Sequence, residues 1–180
     1  MVAEGCPFTG VLYGGLMKTP QGPKVIEFNC RFGDPETEVV LPRLVTDIYD
    51  IFSAVADHTP MPQIEWKEEV TMGFVMASKG YPGSYEKGFP IDIPEEISPL
   101  PSVGRNDNAL CRPEGRNDVR IYHMGTSFKD GKFYTSGGRV LMVVGFGANL
   151  QDAHDKALKA VESIECDNLF YRRDIGWRVL

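Results

Sequence analysis

Two apolar segments separated by a proline- and glycine-rich turn constrain the fold most strongly. The segments are residues 10–18 and 24–32, and the sequence between them is TPQGP. Two prolines and a glycine within five residues favour a chain reversal over a continuous strand or helix. Both flanking segments are short and apolar, which is typical of strands. The sequence therefore predicts a β-hairpin over residues 10–32.

The second segment, KVIEFNCRF, alternates between apolar and polar residues. Successive side chains of a strand point to opposite faces, so the alternation predicts one packed face and one polar face. The apolar face would consist of Ile26, Phe28, Cys30 and Phe32. The polar face would consist of Glu27, Asn29 and Arg31. These three side chains either face water or carry a functional site, and alternation alone leaves both interpretations open.

The chemistry of the polar face favours a site. A carboxylate and an amide oxygen are ligands that suit Mg²⁺, which in nucleotide enzymes is held by one or two protein oxygens and by substrate phosphates. A neighbouring guanidinium can pair with a phosphate or carboxylate in forked geometry. Glu27 and Asn29 could therefore hold a metal ion, and Arg31 could bind an anion.

The longer stretch EFNCRFGDPETE, at residues 27–38, resembles the glycinamide ribonucleotide synthetase family of ATP-grasp ligases. Other segments follow in the family's order, namely GVLYGGLM, GYPGSY, HMGTSF, GGRVL and FYRRDIGW. The resemblance implies that Glu27 and Asn29 bind Mg²⁺ or Mn²⁺ and that Arg31 is catalytic. Glu38 and the length of the polar segment 101–118 depart from the family's usual pattern.

The resemblance also implies a reaction in de novo purine biosynthesis. ATP would phosphorylate the carboxylate of glycine, and 5-phosphoribosylamine would attack this glycyl phosphate to give glycinamide ribonucleotide, ADP and phosphate. Substrate contacts are expected at Asp34, Glu36, Gly137, Gly138 and Arg139. Asp34 and the two glycines also have ordinary explanations, since Asp34 could cap a turn at Pro35 and glycines are common before a strand.

Two domains are predicted, with a border at the proline-rich sequence HTPMP of residues 58–62. Residues 1–60 would be the C-terminal fragment of an ATP-grasp domain, with antiparallel strands and a helix. Residues 61–180 would form the family's C-terminal domain, a small mixed α/β domain of the rudiment single hybrid type, which makes the whole chain α+β. The family's glycine-rich flap and phosphate-binding lysine would precede Met1, so we expect the chain to need the missing N-terminal part of the enzyme and to be inactive alone.

Periodicity locates the other elements. In the first domain an apolar stripe from Leu44 to Val55 predicts a helix with Pro42 in its first turn. In the second domain we expect strands at 70–78, 119–128, 132–136 and 139–146, with Asp130-Gly131 as a hairpin turn. A helix should follow Asn149, a favourable N-cap, with its apolar face formed by Leu150, Ala153, Ala157, Val161 and Ile164. His123 is expected to be a hydrogen-bonded, partly buried residue, and 99–118 a surface loop.

Composition excludes several functional classes. The formal net charge of −6 gives no basic patch for nucleic acid. The apolar runs are far shorter than the roughly 20 residues that span a bilayer. The N-terminus carries no recognisable secretory signal, so a cytoplasmic location is expected. The four cysteines show no metal-binding or disulfide pattern.

Two alternatives remain at this stage. The chain could be part of another ATP-grasp carboxylate ligase, such as a biotin-carboxylase-like protein, although the sequence GDPE argues against it. It could also be a non-catalytic module that supplies an interaction surface.

Overall fold

The computed structural model describes residues 1–97 and 118–180. The predicted surface loop at 99–118 therefore lies outside the described residues, apart from its last position. The chain divides into two compact units, Met1–Lys67 and Glu68–Leu180. The assignment of residues 1–60 and 61–180 to two domains stays a prediction. No helix within the described ranges has the length and apolar character needed to cross a membrane.

The first unit contains a hairpin followed by short helices. Its elements are a 3-10 turn at Val2–Glu4, β1 Tyr13–Thr19, β2 Gly22–Asn29, α1 Thr37–Val40, a 3-10 turn at Leu41–Arg43 and α2 Ile48–Ala56. The predicted hairpin is confirmed, because β1 and β2 pair antiparallel. In its turn the hydroxyl of Thr19 donates to the carbonyl oxygen of Gly22 over 2.7 Å. Gly22 has a φ of 98°, which glycine adopts at no steric cost.

The predicted helix from Leu44 begins later than expected. It starts at Ile48, where the Asp47 carboxylate accepts a hydrogen bond of 2.8 Å from the backbone N–H of Tyr49. Leu44 instead forms a β-bridge with Trp66. Pro42 belongs to the separate 3-10 turn. The apolar spacing identified the right helix, but a side-chain cap sets its start.

The predicted packed face of β2 is wrong. Ile26 is 64% exposed and Phe28 is 65% exposed, and Cys30 is exposed as well. Phe32, the last residue of this face, does make a packing contact, because its ring centroid lies 6.4 Å from that of Phe52. Apolar alternation indicates which face of a strand can be buried. It does not show that another part of this chain covers that face.

The second unit holds the remaining elements: β3 Val70–Ser78, β4 Pro90–Ile91, β5 Val119–His123, β6 Thr126–Lys129, β7 Lys132–Thr135, β8 Arg139–Gly147, α3 Leu150–Ser163 and β9 Leu169–Phe170. They form a four-stranded sheet in the order β5-β8-β3-β9 and a three-stranded sheet in the order β4-β7-β6. All strand pairings in the described ranges are antiparallel. This arrangement confirms the α+β class.

Strand β8 is the centre of the core, since it pairs with both β3 and β5 while α3 packs against it. Its residues 140–147 are all buried. The helix presents a buried face of small residues, Ala153, Ala157, Ala160 and Val161, and starts where the Asn149 side chain accepts from the backbone N–H of Asp152 over 2.9 Å. The predicted helix, its cap and its apolar face are confirmed.

Most strand predictions in the second unit are confirmed, since the strands expected at 132–136 and 139–146 are β7 and β8, with ends that differ by one residue. The strand over 70–78 is confirmed with its bounds. The predicted strand at 119–128 is in fact two strands, because the chain bends at Met124-Gly125 and continues into the other sheet. The Asp130-Gly131 turn is confirmed, with φ values of 51° and 77°. Strands β4 and β9 were not predicted, because two residues carry no periodic signal.

Candidate metal and substrate site

The hairpin brings Glu27 and Asn29 to the same face of β2. They lie two residues apart in the strand, beyond a register shift that leaves Ile26 without a cross-strand partner. The Asn29 side-chain amide donates a 3.0 Å hydrogen bond to Oε1 of Glu27. This bond turns the amide N–H toward the carboxylate. The amide oxygen of Asn29 and Oε2 of Glu27 are then left to coordinate a cation.

The strand opposite makes room for these side chains. Gly15 pairs directly with Glu27, and a Cβ on Gly15 would lie 3.2 Å from Cγ of Glu27. Tyr13 pairs directly with Asn29. Side chains of directly opposite residues share a face of the sheet. The half-buried Tyr13 therefore stands on the same face as the predicted metal ligands.

Glu36 follows β2 and stands at the N-cap position of α1, with its carboxylate beside Gly33. Burial is the largest cause that raises the pKa of Tyr13 above its ordinary value, followed by the interaction with Glu36 and the negative charge of Glu27. The charges of Glu36 and Glu27 both act on Tyr13, and the expected substrate contact of Glu36 stays a prediction.

Tyr13 was missed by sequence reasoning. The signal was available only through the hairpin register, which places residue 13 opposite Asn29. A predicted hairpin with a known turn gives such a register only if the strands contain no bulge. The shift between Gly15 and Leu16 changes the pairing by one residue, and no sequence pattern predicts this shift.

Arg31 does not continue the polar row of the strand, which corrects the prediction. Strand β2 ends at Asn29, so Arg31 lies in the following loop. Its side chain is exposed, and Nη1 donates a 2.9 Å hydrogen bond to the carbonyl oxygen of Phe32. The other N–H groups of the guanidinium can still bind an anion. Because Arg31 lies outside β2, strand alternation does not place it on the face of Glu27 and Asn29.

Asp34 is not the N-cap of α1, and its expected role in capping the turn at Pro35 stays a prediction. The N-cap position of that helix is Glu36, which makes no side-chain cap bond. The helix is instead tied to the loop by Thr37, whose backbone N–H and hydroxyl both donate to the carbonyl oxygen of Gly33. Asp34 precedes a cis peptide bond to Pro35.

Gly137, Gly138 and Arg139 belong to the second unit and lead into β8. A Cβ on Gly138 would lie 2.6 Å from Cε2 of Tyr81, and one on Gly137 would lie 3.0 Å from Cα of Gly125. The backbone N–H of Gly137 donates to the carbonyl oxygen of Gly125 over 3.0 Å. Close packing therefore explains both glycines, and the Gly137 N–H is already used inside the unit.

Buried hydrogen bonds fix this glycine pair to strand β3. Ser78 is fully buried, and its hydroxyl donates to the carbonyl oxygen of Gly137 over 2.8 Å. Its backbone N–H donates to the carbonyl oxygen of Gly138 over 2.8 Å. Arg139, the first residue of β8, is half-buried and pairs with Ala77. The segment is held rigidly, as a substrate-contacting surface would require.

His123 is hydrogen-bonded as predicted, but by its solvent-accessible surface it is exposed and not partly buried. Its Nδ1 lies 3.0 Å from the Thr126 hydroxyl oxygen, and its ring stacks on Phe133 with 4.2 Å between centroids. Burial lowers its pKa from the ordinary value. These contacts give it a structural explanation.

The donor set of the hairpin fits a hard divalent cation. Glu27 and Asn29 provide oxygen atoms, and the hydrogen bond between them fixes their relative orientation. Within the described residues, no group of three or more His, Cys, Asp or Glu side chains could hold a metal ion. Two protein oxygens match Mg²⁺ sites, which are completed by waters and substrate phosphates.

Two family models match the chain. The model for the C domain of phosphoribosylglycinamide synthetase matches residues 71–178. The model for the ATP-grasp (A) domain of the same synthetase matches residues 1–37, which include β1, β2 and the Glu27–Asn29 pair.

Individual relatives agree with these models. The phosphoribosylamine–glycine ligase of Halalkalibacterium halodurans is 41% identical over 180 residues, which are 100% of this chain and 38% of that protein. The Homo sapiens trifunctional purine biosynthetic protein adenosine-3 is 42% identical over 184 residues, covering 100% of this chain and 16% of that protein.

A solved structure is also similar. The crystal structure of phosphoribosylamine–glycine ligase from Thermotoga maritima has a TM-score of 0.70 and 32% identity, and the match covers 91% of this chain and 36% of that one. The chain therefore spans well under half the length of these relatives.

Proposed function

Because the chain belongs to the phosphoribosylglycinamide synthetase family, we propose that it supplies the metal-binding hairpin and the C-terminal domain of an ATP-dependent ligase that joins glycine to 5-phosphoribosylamine. The first unit would then be the end of an ATP-grasp domain. The second unit would be the small C-terminal domain of the rudiment single hybrid type.

One observation carries the proposal. The Asn29 amide donates to the Glu27 carboxylate and turns two oxygen atoms of adjacent side chains toward the same side of β2. The pair lies within the stretch that matches the ATP-grasp domain. Bound there, Mg²⁺ or Mn²⁺ would supply charge neutralisation and orientation of the ATP phosphates.

The reaction would proceed in two balanced steps. A carboxylate oxygen of glycine attacks the γ-phosphorus of ATP, so glycyl phosphate forms and ADP leaves. The amine nitrogen of 5-phosphoribosylamine then attacks the acyl carbon, phosphate leaves, and the nitrogen loses a proton. No side chain becomes covalently attached to substrate, which agrees with the exposed or scattered positions of the described cysteines.

The chain's own residues would bind and orient the reactants. Arg31 can exchange its hydrogen bond to Phe32 for a forked pair with a phosphoryl oxygen, which makes it the proposed catalytic residue. Asp34 and Glu36 border the metal pair in sequence and would contact the amine substrate.

The second unit would contribute contacts to the same substrate, 5-phosphoribosylamine. Gly137 and Gly138 form a close-packed backbone segment, and Arg139 carries a positive charge at the start of β8. We assign this segment to the phosphoribosyl group, for which a guanidinium is a suitable partner. The remaining part of the ligase would hold the nucleotide from the other side, so the chain alone would not turn over.

Metal binding is the direct test on this chain. Electron paramagnetic resonance with Mn²⁺ and ADP measures the fraction of Mn²⁺ that the chain binds. The wild-type chain should bind Mn²⁺, and Glu27→Gln should lose this protein-bound fraction. Glu65→Gln is the matched control, because Glu65 is an exposed carboxylate of the same unit. Equal Mn²⁺ binding by the wild-type chain and Glu27→Gln would contradict the assignment.

Ligation is tested in a chimeric ligase. This protein joins residues 1–180 to the part of the Halalkalibacterium halodurans ligase that the chain does not span. We expect ADP release that requires both glycine and 5-phosphoribosylamine. A folded chimera without this activity, beside an active parent ligase, would refute the proposal and favour a non-catalytic module.

A further inference from the structure

Tyr81 covers one of the two glycines that lead into β8. A Cβ on Gly138 would lie 2.6 Å from Cε2 of Tyr81, so a side chain at this position would collide with the ring. Tyr81 is also 37% exposed, which leaves part of the residue in contact with solvent. A molecule that approaches Gly138 from the side of its absent Cβ therefore meets the Tyr81 ring.

Hydrogen bonds at both ends hold the segment on which Tyr81 stands, residues 79–89 between β3 and β4. Near its start, the backbone N–H of Tyr81 donates to the carbonyl oxygen of Ser78 over 3.0 Å. Near its end, the backbone N–H of Gly88 donates to the carbonyl oxygen of Thr135 over 2.7 Å. Ser78 and Thr135 are both buried, so the segment is tied to fixed parts of the unit.

Asn168 adds an anchor between these two ends. It is a buried polar residue, and its side-chain amide donates to the carbonyl oxygen of Glu86 over 3.0 Å. Its own backbone carbonyl oxygen accepts from the backbone N–H of Lys79 over 2.9 Å. The Tyr81 ring is thus presented by a segment with fixed backbone, as a binding surface requires.

The surroundings of the ring match a sugar phosphate. The Tyr85 ring stands edge-on to it, with 6.2 Å between centroids, and Nζ of Lys87 lies 5.7 Å from the centroid of Tyr85. Arg139 directly follows Gly138 in sequence. An aromatic ring offers an apolar face to the C–H groups of a sugar, and cationic side chains pair with its phosphate.

We propose that Tyr81 is a specificity-determining residue for the amine substrate, whose ring packs against the ribose of 5-phosphoribosylamine while the phosphate lies toward Arg139. The inference rests on the proposed ligase function and deepens it. Gly138 then serves the substrate by making room for the ring, and Tyr81 makes the contact.

Kinetics of the chimeric ligase test this role. Tyr81→Ala removes the ring, and we expect the KM for 5-phosphoribosylamine to rise about tenfold through the lost aromatic contact. The KM values for ATP and glycine should change less than twofold, and Tyr81→Phe, which keeps the ring, should stay within twofold of wild type. Phe128→Ala removes a 55% exposed ring of β6 and is the matched control. An unchanged KM in Tyr81→Ala would overturn the proposal.

A double substitution separates the ring from the glycine backbone. Gly138→Ala should raise the KM for 5-phosphoribosylamine by displacing the ring, and it should add no further loss in a Tyr81→Ala background, where the space is open. Equal losses in both backgrounds would show that the substrate contacts Gly138 itself, which contradicts the role of Tyr81.

Nuclear magnetic resonance of the chain with isotope-labelled tyrosine distinguishes this inference from the proposed function. Ribose 5-phosphate should shift the ring resonance of Tyr81, which Tyr81→Phe identifies, and should leave that of the 73% exposed Tyr49 in place. No shift at Tyr81 would overturn the inference, even beside an active chimera. A shift at Tyr81 beside an inactive chimera would refute the ligase proposal and retain the sugar-phosphate contact.

Discussion

Gly145 in β8 lies directly against the backbone of α3 at Ala157. A Cβ on Gly145 would stand 2.8 Å from the backbone nitrogen of Ala157 and closer still to the carbonyl oxygen of Ala153. Both atoms are backbone, so neither can move aside by a rotamer change. The close approach of helix and sheet in the second unit therefore requires glycine at this position.

We expect Gly145→Ala to lower the free energy of unfolding by about 1–3 kcal/mol, the usual cost of overpacking a core. Urea unfolding followed by circular dichroism measures it. Gly14→Ala is the control, because its Cβ would meet only the Phe28 ring, at an ordinary 3.6 Å. Equal stability of Gly145→Ala and wild type would show that α3 can shift away from β8.

Lys156 joins three parts of the second unit. Its Nζ lies 3.1 Å from Oδ2 of Asp118 and 2.9 Å from Oδ2 of Asp152, and it donates to the carbonyl oxygen of Phe146 over 3.1 Å. Lys156→Met should lower the urea midpoint at neutral pH. Lys159→Met, an exposed position on the same helix, should leave it unchanged.

The stabilisation by Lys156 should depend on pH in a definite direction. The hydrogen bond from Lys156 is the largest cause that lowers the pKa of Asp152 below its ordinary 3.8. A carboxyl with a lowered folded pKa stabilises the protein above its unfolded pKa and loses this contribution as pH falls through the folded one. The difference between wild type and Lys156→Met should therefore shrink below pH 3.8. A constant difference would exclude this pair as its source.

His123 predicts the opposite pH window. Burial lowers its folded pKa from 6.5, so the native state favours the neutral ring. As pH falls through 6.5, the unfolded chain takes up the proton first, and stability decreases until the folded pKa is reached. His123→Asn should lose less stability than wild type between neutral pH and pH 5, measured by urea unfolding at several pH values. An unchanged slope would contradict the prediction.

Arg31 should matter for the chemical step of the chimeric ligase. Arg31→Lys keeps the charge but removes the forked donor geometry, and we expect kcat to fall by roughly 100-fold, as for the loss of a donor to a developing anion. Lys18→Met, at an exposed cation of β1, should leave kcat unchanged. A wild-type rate for Arg31→Lys would remove Arg31 from the catalytic set.

The sequence predicted the elements that have strong local signals. Strand β3 and helix α3 were found with their bounds or cap, because a long apolar run and an Asn149 cap are both readable locally. The Glu27–Asn29 pair was also found, since two residues on one strand share a face without any tertiary information.

The missed features depend on distant parts of the chain. Strand β2 ends before Arg31, and Phe28 is exposed. Both features depend on which other residues pack against the hairpin. The position of Tyr13 opposite Asn29 requires a hairpin register altered by a bulge. Neither periodicity nor composition encodes such long-range pairing.

The ligands Glu27 and Asn29 stand on a two-stranded sheet with exposed apolar side chains. An isolated two-stranded hairpin is marginally stable in water. If the isolated chain forms this hairpin only part of the time, its apparent metal affinity is the intrinsic affinity multiplied by the folded fraction. A metal titration of the chain would then report a folding equilibrium as well as a binding one, and added cation would order the hairpin.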